Sequence, residues 1–129
     1  MSDAYDSGLA VHGSGEAVVL VSGMDGTGKL FYRQVPLLAR SHRVATYALR
    51  NTATTMEQLV ADLGHVVDTV APEARRATIV GESFGGALAL SFALARPAQV
   101  ERLVILNSFP CFTPQIRLHL AIFAPFNRR

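Results

Sequence analysis

The sequence predicts an α/β fold in which a parallel sheet of about four strands is covered by helices on both faces. Continuous valine-rich apolar runs, such as AVVLV at residues 17–21, are typical of strands buried on both faces of a parallel sheet. These runs alternate with helical patterns in the order β-α-β-α-β-α-β, and the connections between them are short. Parallel strands with short crossover connections require helices on both faces of the sheet.

Local sequence patterns define the individual elements. Apolar runs predict strands at residues 17–21, 43–49, 77–80 and 100–106. Helical patterns follow them at residues 29–40, 54–71, 84–95 and 115–126. Pro36 is expected to kink or restart the first helix, because proline has no N–H for an intrahelical bond. The second helix opens at Thr54-x-x-Glu57, which has the form of a capping box, and its apolar residues repeat with the helical period.

Composition narrows the class of protein. The chain has 129 residues, which suits one domain, and 50% of them are hydrophobic, so the chain can bury a core. The net charge of +2 and the scattered basic residues argue against a nucleic-acid partner. Cys111 is the only cysteine, which excludes an internal disulfide and suits a reducing compartment. The start of the chain is unlike a secretory signal, and no apolar run reaches the ~20 residues of a membrane span. We therefore expect a cytoplasmic protein without a transmembrane segment.

Ser83 is the strongest candidate for a functional residue. It lies at the centre of a G-x-S-x-G pentapeptide, between an apolar strand and an alanine-rich helical run. A serine at the tip of such a tight turn needs neighbours without a Cβ, which Gly81 and Gly85 provide, and Gly86 follows them. The turn exposes the hydroxyl at the N-terminus of a helix, where the dipole favours a developing anion. The flanking strand and helix favour a nucleophile over an incidental serine in a glycine-rich turn.

A second glycine-rich loop, at residues 22–28, follows the first strand and permits two interpretations. It resembles a phosphate-binding P-loop, because G-x-x-x-x-G-K precedes a helix. However, Leu30 stands where a P-loop has the Ser or Thr that holds Mg²⁺, and no later strand ends in Asp. Alternatively, the loop folds close to Ser83, and Asp25 orders it by accepting hydrogen bonds from nearby N–H groups.

These two motifs resemble those of the α/β-hydrolase superfamily. Residues 81–86 match its nucleophile elbow, and residues 22–28 match its oxyanion loop. The pairing looks most like the serine esterase and acyltransferase branch that includes plant phytyl ester synthases, and the resemblance extends from about Val18 to Phe109. It implies a partial α/β-hydrolase fold in which the second strand is outermost, followed by the first, third and fourth.

The resemblance also implies roles for individual residues. Ser83 would be the nucleophile, and the backbone N–H groups of Met24 and Phe84 would bind the oxyanion, each donor contributing about 3 kcal/mol in a dry site. Gly23 and Gly26 would let the loop approach the elbow. The implied substrate is a small-molecule ester or thioester with an apolar acyl group, and no cofactor or metal is implied.

The sequence offers a nucleophile and oxyanion donors, but it lacks a clear catalytic base and acid. A serine needs both, and α/β-hydrolases supply them in the order Ser, acid, His. After Ser83 the only acidic residue is Glu101, which begins a strand and therefore lies at the wrong edge of the sheet. Asn107 stands where some lipases have the acid. His119 is the only histidine after Ser83; it is a candidate base, although a surface position on a cap helix is the more ordinary interpretation.

The expected domain organisation follows from this gap. The chain is expected to be the N-terminal part of a larger hydrolase, with a loose arm or edge-strand remnant at residues 1–16, a truncated core at 17–113 and the start of a cap or lid helix at 114–129. The last strand would form an exposed edge that favours self-association. Two alternatives to an incomplete acyl-transfer enzyme stay open: a non-catalytic fragment that binds lipid or a partner, and a nucleotide-binding protein with a degenerate P-loop.

Overall fold

A computed structural model of the chain describes residues 7–110, which form a sheet with helices on both faces. The strands are β1 (Ala10–His12), β2 (Ala17–Val21), β3 (Arg43–Thr46), β4 (Ala77–Glu82) and β5 (Val100–Leu106). The α-helices are α1 (Gln34–Leu38), α2 (Met56–Val70) and α3 (Phe84–Ala95), and short 3₁₀ turns occupy Lys29–Phe31 and Pro97–Gln99.

The sheet has the order β1-β3-β2-β4-β5. Strands β3, β2, β4 and β5 are parallel to one another, which confirms the predicted fold class and the predicted order of these four strands. The fifth strand, β1, pairs antiparallel with β3, with Val11 opposite Ala45. This short strand adds to the four predicted ones, and it is the edge-strand alternative of the two expected for residues 1–16: Ala10–His12 pair with the free edge of β3.

The core lies on both faces of β2. Alternate residues of this strand point to opposite faces, so that Val19 and Val21 pack against α2 and α3, whereas Val18 and Leu20 pack under α1. The larger cluster contains the fully buried Leu63, Val67, Leu88 and Phe92. The strand is buried over its whole length, as its continuous apolar sequence predicts.

The segment after the glycine loop differs from the single helix expected at residues 29–40. It consists of the 3₁₀ turn followed by α1, which begins at Gln34. Pro36 is therefore in the first turn of α1, where backbone N–H groups have no intrahelical acceptor, so the missing N–H costs nothing. The proline restarts the helix, which is one of the two expected outcomes.

The capping box of α2 is one residue later than predicted. Thr55 is the N-cap, and its hydroxyl accepts a hydrogen bond from the Gln58 N–H at 3.3 Å, while the Gln58 side chain accepts from the Thr55 N–H at 3.3 Å. Thr55 has the extended backbone that an N-cap requires. Thr54-x-x-Glu57 and Thr55-x-x-Gln58 have the same sequence form, and the start of the helix decides between them.

The C-terminal part of the edge strand β5 exposes apolar residues. Val104, Ile105 and Leu106 are 40%, 37% and 44% exposed, and no strand among residues 7–110 pairs with the far side of β5. The edge that the sequence predicts is thus present within the described part of the chain.

Several predictions fall on residues that the structure does not describe. These are His119, Cys111, the helix at 115–126 and the cap segment at 114–129. Within residues 7–110, no helix is long and apolar enough to cross a membrane. The cytoplasmic location stays a prediction from the sequence.

Candidate active site

Ser83 occupies the tight turn between β4 and α3. Its backbone has φ of 55° and ψ of −122°, a combination that residues with a Cβ rarely adopt. Such a conformation costs on the order of 1–3 kcal/mol and persists only when the surrounding structure enforces it. The strain is therefore located at the residue that the sequence selects as the nucleophile.

Two glycines allow this turn to form. A Cβ on Gly81 would overlap the carbonyl oxygen of Gly85, and a Cβ on Gly85 would overlap the carbonyl oxygen of Val21. Neither position has a positive φ, so the requirement for glycine is one of space. This is the physical reason that the sequence suggests for the spacing of the pentapeptide.

Both backbone groups of Ser83 are hydrogen-bonded to the end of β5. The Ser83 N–H donates to the Leu106 carbonyl at 3.0 Å, and the Ser83 carbonyl accepts from the Ser108 hydroxyl at 2.5 Å and from the Gly86 N–H at 3.0 Å. The Ser83 Oγ forms no hydrogen bond with any residue in the range 7–110. The main chain is fixed while the hydroxyl is left available.

The glycine loop lies directly beside the elbow. A Cβ on Gly23 would be 3.1 Å from the Ser83 Cβ and 2.9 Å from Glu82 Oε2, so a larger residue at this position would require both neighbours to shift. The next residue, Met24, has an exposed side chain, and its N–H has no acceptor among the described residues. The loop thus brings a backbone donor next to the turn that contains Ser83.

Hydrogen bonds within the loop fix its shape. The Gly26 N–H donates to the Gly23 carbonyl at 3.0 Å and closes a turn around Met24. Asp25 Oδ2 accepts from the Thr27 N–H at 3.2 Å and from the Thr27 hydroxyl at 2.6 Å. The expected role of Asp25 in ordering the loop is therefore confirmed.

The segment after β3 supports the glycine loop from the other side. The Leu49 N–H donates to the Gly26 carbonyl at 2.6 Å. Arg50 then makes a two-pronged contact with Asp62 of α2, at 2.9 Å and 2.5 Å. The sequence does not single out this ion pair, because its members are 12 positions apart and only the fold brings them together.

A cleft of about 910 Å³ opens beside these two loops. Apolar side chains of Met24, Leu49 and Phe84 line it, together with the backbone of Gly23 and Gly26. The cleft is at the carboxyl edge of the sheet, which is where open α/β sheets bind their ligands.

Among residues 7–110, no histidine or carboxylate forms a hydrogen bond with the Ser83 Oγ. His42 precedes β3 at the opposite edge of the sheet, where its Nδ1 is 2.8 Å from the Ser41 Oγ. Glu101, at the start of β5, pairs with Arg76 at 2.8 Å, which agrees with the sequence-based exclusion of Glu101 as the acid. Asn107 follows β5 with φ of 45°. The described residues also contain no group of three or more side chains that could hold a metal ion.

The geometry of the glycine loop weakens the P-loop interpretation. A P-loop directs the N-terminus of an α-helix at the phosphates. Here Lys29 begins a 3₁₀ turn of three residues, and the first α-helix starts only at Gln34. The loop instead packs against the Ser83 turn.

Comparison with known proteins agrees with this geometry. "Putative carbamate hydrolase RutD" of Yersinia enterocolitica is 33% identical over 109 residues, which cover 79% of this chain and 39% of that protein. Pimeloyl-[acyl-carrier protein] methyl ester esterase of Aliivibrio fischeri is 31% identical over 104 residues, covering 80% and 40%. The crystal structure of a hydrolase from Pseudomonas aeruginosa superposes with a TM-score of 0.76 at 27% identity, covering 92% of this chain and 48% of that one.

The chain therefore spans about 40% of the length of these two curated relatives. Residues 11–129 match the model of the alpha/beta hydrolase family, which is nearly the whole chain. On this match, and on the elbow and sheet described above, the chain belongs to the alpha/beta hydrolase family.

Proposed function

We propose that this chain carries the nucleophile and the oxyanion hole of a serine hydrolase that cleaves esters or thioesters. The observation that supports this most directly is the backbone of Ser83, held at φ of 55° directly beside Gly23 of the glycine loop. Strain of this kind is typical of functional positions.

In the proposed reaction, the Ser83 Oγ attacks the substrate carbonyl carbon and its proton passes to a general base. The carbonyl oxygen becomes an oxyanion that accepts hydrogen bonds from the N–H groups of Met24 and Phe84. The C–O or C–S bond to the leaving group then breaks, the base returns the proton to the leaving group, and an acyl-serine remains. Water, or an alcohol in a transferase, attacks the acyl-serine and releases the product.

The general base and the orienting acid are proposed to come from outside residues 7–110. His119 is the candidate base within this chain. The curated relatives are more than twice as long as the segment matched, which leaves room for both groups in a complete protein. That the present chain alone is an incomplete enzyme is part of the same proposal.

The lining of the cleft suggests the type of substrate. Met24, Leu49 and Phe84 present apolar surface in this cleft beside the glycine loop, which suits a small-molecule ester or thioester with an apolar acyl group. The names of the relatives refer to a carbamate and to a methyl ester, both of which have a carbonyl carbon that a serine can attack. A cytoplasmic location is proposed from the sequence.

One observation supports the alternative of a non-catalytic fragment. The exposed Val104, Ile105 and Leu106 offer an apolar strand edge to a lipid, to a partner or to a second copy of the chain. We propose self-association through β5 as the property that accompanies this alternative.

The experiment that tests the catalytic proposal is mass spectrometry of the folded chain after incubation with a fluorophosphonate. We expect one adduct on Ser83 in the wild type, formed slowly because His119 is the only candidate base in this chain, and none in Ser83→Ala. Ser41→Ala is the matched control, because Ser41 is the serine that contacts a histidine in the described part of the chain. This control should be labelled like the wild type. An adduct that persists in Ser83→Ala contradicts the proposal. A folded wild type without any adduct would show that His119 does not act as the base, and it favours a chain that is non-catalytic by itself.

A further inference from the structure

Two hydrogen bonds link the end of β5 and the residues after it to the main chain of Ser83. Leu106 accepts the Ser83 N–H, and two residues later Ser108 donates its hydroxyl to the Ser83 carbonyl at 2.5 Å. One short segment therefore contacts the main chain of Ser83 on both sides of its Cα. The φ and ψ of Ser83 are the two torsions between these contacts.

Two features of the chain allow Ser108 to reach the elbow. Asn107 has φ of 45°, which turns the backbone sharply at the end of β5. Gly86 leaves the space into which the Ser108 side chain fits, because a Cβ at position 86 would overlap both the Cβ and the Oγ of Ser108. Gly86, the second glycine after Ser83, thus contacts Ser108, which lies 22 positions later in the sequence and belongs to no local motif.

We propose that Ser108 is a positioning residue for the nucleophile. Its hydroxyl donates to the Ser83 carbonyl and so maintains the rare backbone conformation of Ser83 beside the glycine loop. Without this donor, the Ser83 carbonyl keeps only hydrogen bonds from the first turn of α3, such as that from the Gly86 N–H, and its link to the segment after β5 is lost. This inference rests on the proposed function, in which Ser83 is the nucleophile.

A purely structural role for Ser108 makes a different prediction. If Ser108 only stabilised the contact between β5 and α3, its loss would lower the stability and leave the reactivity of each folded molecule unchanged. If it positions Ser83, the reactivity per folded molecule falls as well. The two roles separate when the rate of fluorophosphonate labelling is divided by the folded fraction, which circular dichroism measures on the same sample.

The first test compares Ser108→Ala with Ser91→Ala, a control serine later in α3. We expect Ser108→Ala to be labelled on the order of tenfold more slowly per folded molecule, because the loss of one hydrogen bond misplaces the attacking oxygen. Ser91→Ala should react like the wild type. Labelling of Ser108→Ala at the wild-type rate, with Ser83→Ala unlabelled, would overturn the inference and leave the proposed function intact.

A second test removes the same hydrogen bond by another route. Gly86→Ala should displace the Ser108 side chain and lower both the melting temperature and the labelling rate. The double variant Gly86→Ala/Ser108→Gly relieves the steric overlap but does not restore the donor. We expect it to recover melting temperature relative to Gly86→Ala while its labelling stays slow; recovery of both would show that Ser108 acts only through packing.

Amide hydrogen exchange tests the positioning role of Ser108 if the wild type is not labelled at all. That result would count against the proposed function. The effect of the Ser108 hydroxyl on the backbone of Ser83 can still be measured. We expect Ser108→Ala to lose protection at the N–H groups of Ser83 and Gly86, with protection in α2 unchanged. Equal protection of these two amides in both proteins would overturn the inference.

Discussion

Gly85 lies so close to the end of β2 that a Cβ on this residue would overlap the carbonyl oxygen of Val21. The contact joins the first turn of α3 to the strand that carries the glycine loop. The two candidate parts of the site, the Ser83 turn and the oxyanion loop, are thus held together by backbone packing.

Replacement of Gly85 by alanine is expected to destabilise the fold by about 3 kcal/mol or more, because the added methyl group has no room. The overlap is with main-chain atoms, which cannot rotate away as a side chain can. Urea denaturation of Gly85→Ala and wild type measures the difference in the free energy of unfolding.

Gly26→Ala is the matched control for this effect. Gly26 has φ of 65°, and a Cβ there would meet only the Leu49 Cβ at 3.8 Å. Gly26→Ala is therefore expected to lower the free energy of unfolding by about 1–2 kcal/mol, because alanine disfavours the left-handed backbone conformation. If Gly85→Ala proves no more destabilising than Gly26→Ala, the close packing of the elbow on β2 is wrong.

The Arg50–Asp62 pair is expected to respond unequally to truncation of its two members. Asp62 is 6% exposed and Arg50 is 31% exposed. Arg50→Ala leaves a buried carboxylate without its partner, which costs about 3–5 kcal/mol. Asp62→Ala should cost less, because the guanidinium can reach water. Thermal or urea unfolding of both variants measures the asymmetry.

A double-mutant cycle and an exposed pair provide the controls. Arg50→Ala/Asp62→Ala should be less destabilised than the sum of the single variants, since neither charge is left alone. The pair formed by Arg102 and Glu16 is 62% and 72% exposed, and its loss should change the stability by at most about 1 kcal/mol. Equal costs for the two single variants would show that burial of Asp62 does not control the energetics.

The N-cap of α2 gives a direct test of where the helix begins. Thr55→Ala removes the hydroxyl that accepts the Gln58 N–H, and we expect a loss of about 1 kcal/mol. Thr54→Ala should have a much smaller effect, because the Thr54 hydroxyl makes only a 3.4 Å contact with the Gln58 side chain. The reverse order of the two costs would support the capping box that the sequence suggests at Thr54.

The sequence predicts those parts of the fold that are specified by patterns of a few neighbouring residues. The valine-rich run at β2 and the glycine spacing around Ser83 each contain their own physical reason within a few residues. The capping box shows the limit of this approach, since two overlapping patterns fit equally well and tertiary packing selects the start of α2.

Other features have no local signal. Strand β1 is three residues long and lies in a polar stretch, so that pairing with the edge of β3, and not its composition, makes it a strand. Ser108 and Ser83 are 25 positions apart, and their contact exists only because β5 is placed beside β4. The candidate nucleophile could therefore be found from the sequence, whereas the residue proposed to hold it in place could not.

The exposed edge at β5 predicts the oligomeric state of the isolated chain. Val104, Ile105 and Leu106 are partly open to solvent on a strand whose outer edge is unpaired among the described residues. Edge strands of this kind pair with other chains unless a charge blocks them. We expect the chain to form dimers or larger assemblies in sedimentation velocity, and Val104→Lys to shift it towards the monomer.

The opposite edge of the sheet supplies the control for this prediction. Val11 on β1 is 45% exposed, similar to Val104, but it lies on a strand of three residues beside the other end of the sheet. Val11→Lys should leave the association unchanged if β5 is the interface. A wild-type chain that is monomeric and unfolds cooperatively would contradict the prediction. An equal response to both lysine substitutions would assign the association to general hydrophobicity and not to the edge of β5.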